Sequence, residues 1–152
     1  MKTLQLLGRA AYLGVLPVLC LPALARGMDA GEMTLRVTEA LTGEYANCIA
    51  FYGFQSRAAR DKGDNALAAD YAALQYRAIV FARAFARRGR SDPAAQLLIS
   101  DRIDTAIASQ FSTMGGDIRL MRVLSGKYAD RCRHALEDPA EFADEVLERT
   151  IR

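Results

Sequence analysis

Few residues in this chain could do chemistry, and they centre on one histidine. His134 is the lone histidine of the 152 residues and follows Cys132 with one residue between them. A serine or cysteine nucleophile needs an adjacent base, so here any such pair would run through His134. The fragment Cys132-Arg133-His134 lacks the Cys-x-x-Cys-His spacing that attaches c-type haem. A b-type haem bundle would use a methionine of the first helix and a histidine of the last, which brings Met33 and His134 into view. Metal sites need clusters of histidine, cysteine or carboxylate. Asp101 and Asp104 stand about one helical turn apart, but Arg102 lies between them and no histidine is near in sequence, so they read as a solvated face. Glu137, Asp138 and Glu141 fall at a helix start and read as caps. Gly115-Gly116-Asp117 precedes a helix, whose N-terminus can hold an anion. A two-residue turn between helices accounts for it more simply. The expectation is therefore a protein without catalytic residues, metal or cofactor, and not an enzyme.

Two further groups could make contacts. Arg83, Arg87, Arg88 and Arg90 are the densest charge in the chain. They suit an acidic partner, a lipid headgroup or a polysaccharide. They also suit the end of a helix, where the dipole favours cations. Tyr45, Phe51, Tyr52 and Phe54 exceed what one core stripe needs. Adjacent Phe51 and Tyr52 cannot both face one core, so Phe51 or Phe54 is expected on another element, such as the last helix, or at an interface.

The elements that would position these residues read as helices. Alanine, leucine and arginine dominate, and all favour helix. Alternating β-branched runs are absent. Breaks at Gly63-Asp64, Gly89 to Pro93, Gly115-Gly116 and Asp138-Pro139 cut the chain into helix-sized pieces. The first runs from about Gly31 to Asp61, with Leu41, Tyr45, Cys48 and Tyr52 on one face and Gly43 as a point where it could kink. The second runs from about Asn65 to Arg88, with Leu67, Tyr71, Leu74, Ala78, Phe81 and Phe85 as its stripe and Asp64 as its cap. The third starts at Ser91 or Asp92 with Pro93 in its first turn, and turns Ile99, Ile103, Ile107, Phe111 and Met114 inward. The fourth runs from about Asp117 to Leu136, with Met121, Leu124, Tyr128, Cys132 and Ala135 inward. A short fifth follows Pro139, with Phe142, Val146 and Leu147 inward. Short connections predict an antiparallel four-helix up-down bundle with a short fifth C-terminal helix.

The N-terminus reads as a secretory signal. Lys2 and Arg9 precede an uncharged stretch from Ala10 to Leu24 that ends in Ala23-Leu24-Ala25. Small residues at −3 and −1 place cleavage after Ala25. A retained membrane helix would need ~20 apolar residues, and this stretch is shorter and broken by Pro17 and Pro22. Leu19 rather than a small residue precedes Cys20, which argues against lipidation there. The expected mature protein, residues 26–152, is a single helical domain without a stable membrane anchor, in the periplasm. Its formal net charge falls from +2 to zero as Lys2 and Arg9 leave. A neutral chain gives no electrostatic case for nucleic acid.

Cys48 and Cys132 then remain, an even pair in an oxidising compartment, and a disulfide is expected. Helix arithmetic supports it. Cys48 lies 13 residues from the end of the first helix, and Cys132 lies 15 from the start of the fourth. Those depths are about 20 and 22 Å from the same end of an up-down bundle. By the same measure His134 falls beside Ala46, and Met33 lies roughly 20 Å further along, which argues against haem.

Tyr45-Ala46-Asn47-Cys48 with its nearby aromatics, then Gly126-Lys127-Tyr128, Cys132 and an acidic terminal helix, resemble small secreted two-cysteine α-helical proteins of Gram-negative bacteria. The resemblance implies a periplasmic helical domain and carries no catalytic residues. The expected function is a binding or accessory protein that meets a protein partner in the periplasm through a helical surface. The alternatives are an inhibitor or immunity protein against a secreted enzyme and a haem-binding bundle.

Overall fold

The computed structural model describes residues 29–152. The cleavage site after Ala25 and Cys20 lie outside the described residues. The chain forms α1 (Ala30–Asp61), α2 (Asn65–Ala86), α3 (Asp92–Thr113), α4 (Met121–Glu137) and α5 (Pro139–Ile151). Among the described residues there is no strand, as the composition predicts. No described helix is long and apolar enough to cross a membrane.

Local signals set most boundaries. The Asp64 carboxylate accepts the Leu67 N–H at 3.0 Å, capping α2. Asp138 caps α5 by accepting from Glu141 N–H at 3.2 Å, with Pro139 in the first turn. Gly115 and Gly116 have φ of +62° and +79°, which side chains with a Cβ rarely adopt, and they end α3. The fourth helix was expected from Asp117, but Ile118–Leu120 form a 3-10 turn first. Asp117 caps that turn through Arg119 N–H at 2.9 Å. Ser91 holds the N-cap position of α3 without a side-chain hydrogen bond. Gly43 does not split α1, which runs unbroken for 32 residues, about 48 Å.

The long first helix is the centre of the molecule and touches each of the other four. Cys48, Ile49, Ala50, Phe51 and Tyr52 are all buried, so the middle of α1 is enclosed all round. Phe51 and Phe54 pack on other elements, though not on the fifth helix, and the expectation that Phe51 and Tyr52 cannot both face one core is corrected: they join the same cluster, their rings 5.2 Å apart. Phe51 lies 6.3 Å from Tyr128 of α4, while Tyr52 faces Tyr71 of α2 at the same distance. Phe54 stacks on Phe111 of α3 at 6.5 Å. Both neighbours can be buried because α4 covers Phe51 and α2 covers Tyr52.

Cross-contacts fix the directions. α2 runs antiparallel to α1, from Ser56–Ala68 through Ile49–Gln75 to Tyr45–Phe81. α4 is also antiparallel, through Gln55–Ser125, Cys48–Cys132 and Tyr45–Ala135. α3 runs parallel to α1, with Gln110 Nε2 donating to Asn47 O at 2.8 Å and Ala106 meeting Ala46 and Ala50. It packs chiefly on α1.

The expected stripes of α2 and α3 meet the core in large part, with Ala78, Ile99 and Met114 buried and Ile103 packed against them. On α2 the fully enclosed residues are Ala68, Ala78, Ala82 and Ala86, whose small side chains let the helices approach closely. Tyr71, Leu74, Phe81 and Phe85 flank this seam half-buried, and Leu67 is exposed. On α3 the buried residues are Ala95, Ile99, Ala106 and Gln110. Ile107 and Phe111 were expected inside and are exposed, as is Leu147 of α5. Residue size decides this: where helices cross closely only a small residue fits between them, and larger neighbours are pushed to the rim.

Tyr45 organises the centre. It is fully buried, and its ring lies 5.2 Å from Phe81, 5.7 Å from Phe85 and 5.8 Å from Phe142. Its hydroxyl donates to Ala135 O at 2.9 Å. The last four carbonyls of a helix have no partner within it. For α4 other elements supply two of the partners, Tyr45 for Ala135 and Arg77 Nη2 for Leu136 at 2.8 Å, and its own C-cap, the Asp138 N–H, serves His134 at 2.9 Å.

Candidate functional site

The Cys48–Cys132 disulfide joins α1 to α4 across 84 residues of sequence. The Cα atoms are 5.3 Å apart, within the ~4.4–6.8 Å that a bridge needs. Both cysteines are buried. Beside them, Glu44 of α1 accepts two bonds from Arg131 of α4, at 2.8 and 2.9 Å, and one from Arg149 of α5 at 3.1 Å. The Arg131 guanidinium also lies over the Phe142 ring at 5.0 Å. Glu44 thus ties three helices, a role that only the assembled fold reveals.

The four arginines do not act as one patch. Arg90 turns inward to Glu39 at 2.7 Å, Thr38 Oγ1 at 3.1 Å and Leu35 O at 3.4 Å, pinning the α2–α3 connection to α1. Arg88 lies over the Phe85 ring at 5.2 Å. Arg87 pairs with Asp92 at 3.2 Å with both side chains largely solvated, a contact worth little on its own. Arg83 and Arg87 line a groove of about 350 Å³ against Pro93, Gln96 and Ile99 of α3.

These two arginines continue an exposed line along α2. Tyr76, Val80, Arg83 and Arg87 step by four, three and four and so share one face. Tyr76 is 64% exposed and Val80 is 48% exposed. Leu97, on the first turns of α3, is 72% exposed. The line carries an aromatic and an aliphatic residue followed by two cations. Its basic end stands out in the sequence as dense charge, whereas its apolar end is carried only by the four-three-four spacing.

His134 lies in the last turn of α4. It is half-buried, and its ring meets Phe142 edge-on at 5.9 Å. Its Nε2 lies 3.4 Å from Glu141 Oε2, and its Nδ1 lies 3.6 Å from Glu145 Oε1. Glu141 and Glu145 are one turn apart on α5. Their spacing was legible, but their meeting with His134 depends on the α4–α5 corner. Met33, the other half of the haem pair weighed above, lines a groove with Val37, Phe85 and Leu147. Asp101 and Asp104 are exposed on α3.

Titration follows these surroundings. Burial pushes the Tyr45 hydroxyl up to about 12. Tyr52 is also raised, first by burial and then by the Glu137 charge. Hydrogen bonds from Arg119 hold Asp117 below its usual range. No family model matches the chain, and no curated protein or solved structure matches it either.

Proposed function

We propose that this is a non-enzymatic binding or accessory protein of the periplasm, exported with cleavage after Ala25, that meets a protein partner through the exposed face of α2. The observation that carries the reading is the line Tyr76, Val80, Arg83 and Arg87. Aromatic and arginine side chains are enriched where proteins bind one another, because they bury large areas and make directional contacts. The partner it suits offers an apolar pocket beside carboxylates. The disulfide fits a protein that works outside the cytoplasm. We read the packing as an up-down bundle in chain order, with α1 drawn into the centre and α5 closing one side. The likeness to small secreted two-cysteine helical proteins belongs to the same reading.

The test places a photo-crosslinking residue at Val80 and, as a control, at Glu148 on the exposed side of α5, in the envelope of the native host. The Val80 probe should give a discrete adduct that Arg83→Glu with Arg87→Glu abolishes. Equal adducts from both positions would refute the α2 surface. Sequencing the secreted chain should begin at Arg26, and an intact Met1 would refute export with cleavage.

A further inference from the structure

We propose that the groove between α2 and α4, floored by α1, binds a zwitterionic aromatic amino acid. The groove holds about 330 Å³, at the lower end of small-molecule pockets, which run ~300–1,000 Å³. α2 and α4 both lie antiparallel on α1, and the groove is the gap left between them. Phe51 and Tyr52 form its floor, with Tyr71 and Leu74 on one wall and Ala129 and Leu136 on the other. The Tyr52 and Tyr71 rings stand 6.3 Å apart and 27° from parallel, so the apolar part offers aromatic faces against which a flat ring packs well.

The polar groups sort by end. Toward the start of α4, Gln55 Nε2 donates to Ser125 Oγ at 2.9 Å and closes the groove. Toward the last turn of α4, the lining residues are Arg77, Arg133 and Glu137. Arg77 Nη2 donates to Leu136 O at 2.8 Å, which bridges the groove and holds the guanidinium at its mouth. Arg133 pairs with Asp130 at 2.7 Å, whereas among the described residues neither Arg77 nor Glu137 has an ion-pair partner. One unmatched cation and one unmatched anion therefore share the charged end.

Tyr52 points the same way. It is 5% exposed and lines the groove, yet its hydroxyl makes no hydrogen bond among the described residues. A buried polar group without a partner is uncommon in a folded chain. Burial is the largest cause raising this hydroxyl, the Glu137 charge adds to it, and the Arg133 and Arg77 charges oppose it, so all three charged heads lie close by. An aromatic amino acid matches this polarity. Its carboxylate meets Arg77 and accepts from the Tyr52 hydroxyl, its ammonium meets Glu137, and its ring lies along the aromatic floor. A carboxylate alone would leave Glu137 beside a like charge, and an amine alone would leave Arg77 so. The groove shares no residue with the exposed line of Tyr76, Val80, Arg83 and Arg87.

The probe is L-phenylalanine, titrated calorimetrically into the full chain, beside phenylpropanoate, which lacks the ammonium, and phenethylamine, which lacks the carboxylate. The expected result is one saturable L-phenylalanine per chain, with each single-charge analogue weaker by roughly tenfold or more. Glu137→Gln, at an exposed position, should remove the preference for L-phenylalanine over phenylpropanoate. Tyr52→Phe keeps the ring and should weaken L-phenylalanine roughly threefold to tenfold. Ala129→Leu fills the groove from a half-buried position and should abolish binding with helical circular dichroism unchanged. Absence of saturable binding would overturn the site, as would unchanged affinity in Ala129→Leu. Equal affinity for phenylpropanoate in the wild type would overturn the choice of a zwitterion.

Discussion

Reducing the Cys48–Cys132 bond should loosen the protein without dissolving its helices. The bond closes a loop of 84 residues, and freeing it restores entropy to the unfolded chain worth ~4.6 kcal/mol in the chain-entropy model. Real bridges commonly return ~2–4 kcal/mol. For a domain of this size each kcal/mol moves the melting temperature by roughly 3–5 °C, so a fall of ~10–15 °C is expected. Helical circular dichroism at 20 °C should barely change. The α1–α4 seam keeps the Tyr45–Ala135 hydrogen bond and the Glu44–Arg131 pair when the sulfurs part. The assay is thermal unfolding followed by circular dichroism, with and without reductant, and with mass spectrometry to confirm two free thiols. Replacing either Cys48 or Cys132 with Ser should show the same fall with a small addition, because the serine hydroxyl would be buried without a partner. A melting temperature that moves by less than ~2 °C once both thiols are free would refute a stabilising bridge.

Two further outcomes follow from single residues. Gly43 of α1 and Gly126 of α4 are mid-helix, and a Cβ at either meets nothing within 4 Å. Gly43→Ala and Gly126→Ala should each stabilise by ~0.5–1 kcal/mol, read as a higher urea midpoint at unchanged slope. Loss of stability at either would expose a contact that the packing does not contain. Tyr45→Phe removes the hydrogen bond to a buried carbonyl and should cost ~1–3 kcal/mol at pH 8. The folded-state value of Tyr45, about 12, lies above the ordinary 10, so its stabilisation is complete below pH 10 and is lost as pH rises toward 12. The wild type should therefore lose more stability than Tyr45→Phe between pH 10 and 12, as measured by urea midpoints. Parallel profiles would contradict that.

Much of this protein was written locally. Asp64 before an alanine-rich run, Pro139 after Asp138 and the Gly115-Gly116 pair mark helix ends because capping and backbone conformation involve only near neighbours in the chain. The pairing of Cys48 with Cys132 was legible too, since helical rise converts residue counts into depth. What needed the tertiary structure is which side of each helix is enclosed. Phe51 and Tyr52 are both buried because α1 has neighbours on several sides, which no single helical period expresses. Ala78, Ala82 and Ala86, rather than the larger residues beside them, line the α2 seam because close crossings select for small volume. The grouping of His134 with Glu141 and Glu145, the inward turn of Arg90 and the three-way tie at Glu44 arise only where separate helices meet. Sequence dictates the helices through contacts a few residues apart. Position in space, set by volume and by the neighbours each face happens to meet, decides which side chains can act together.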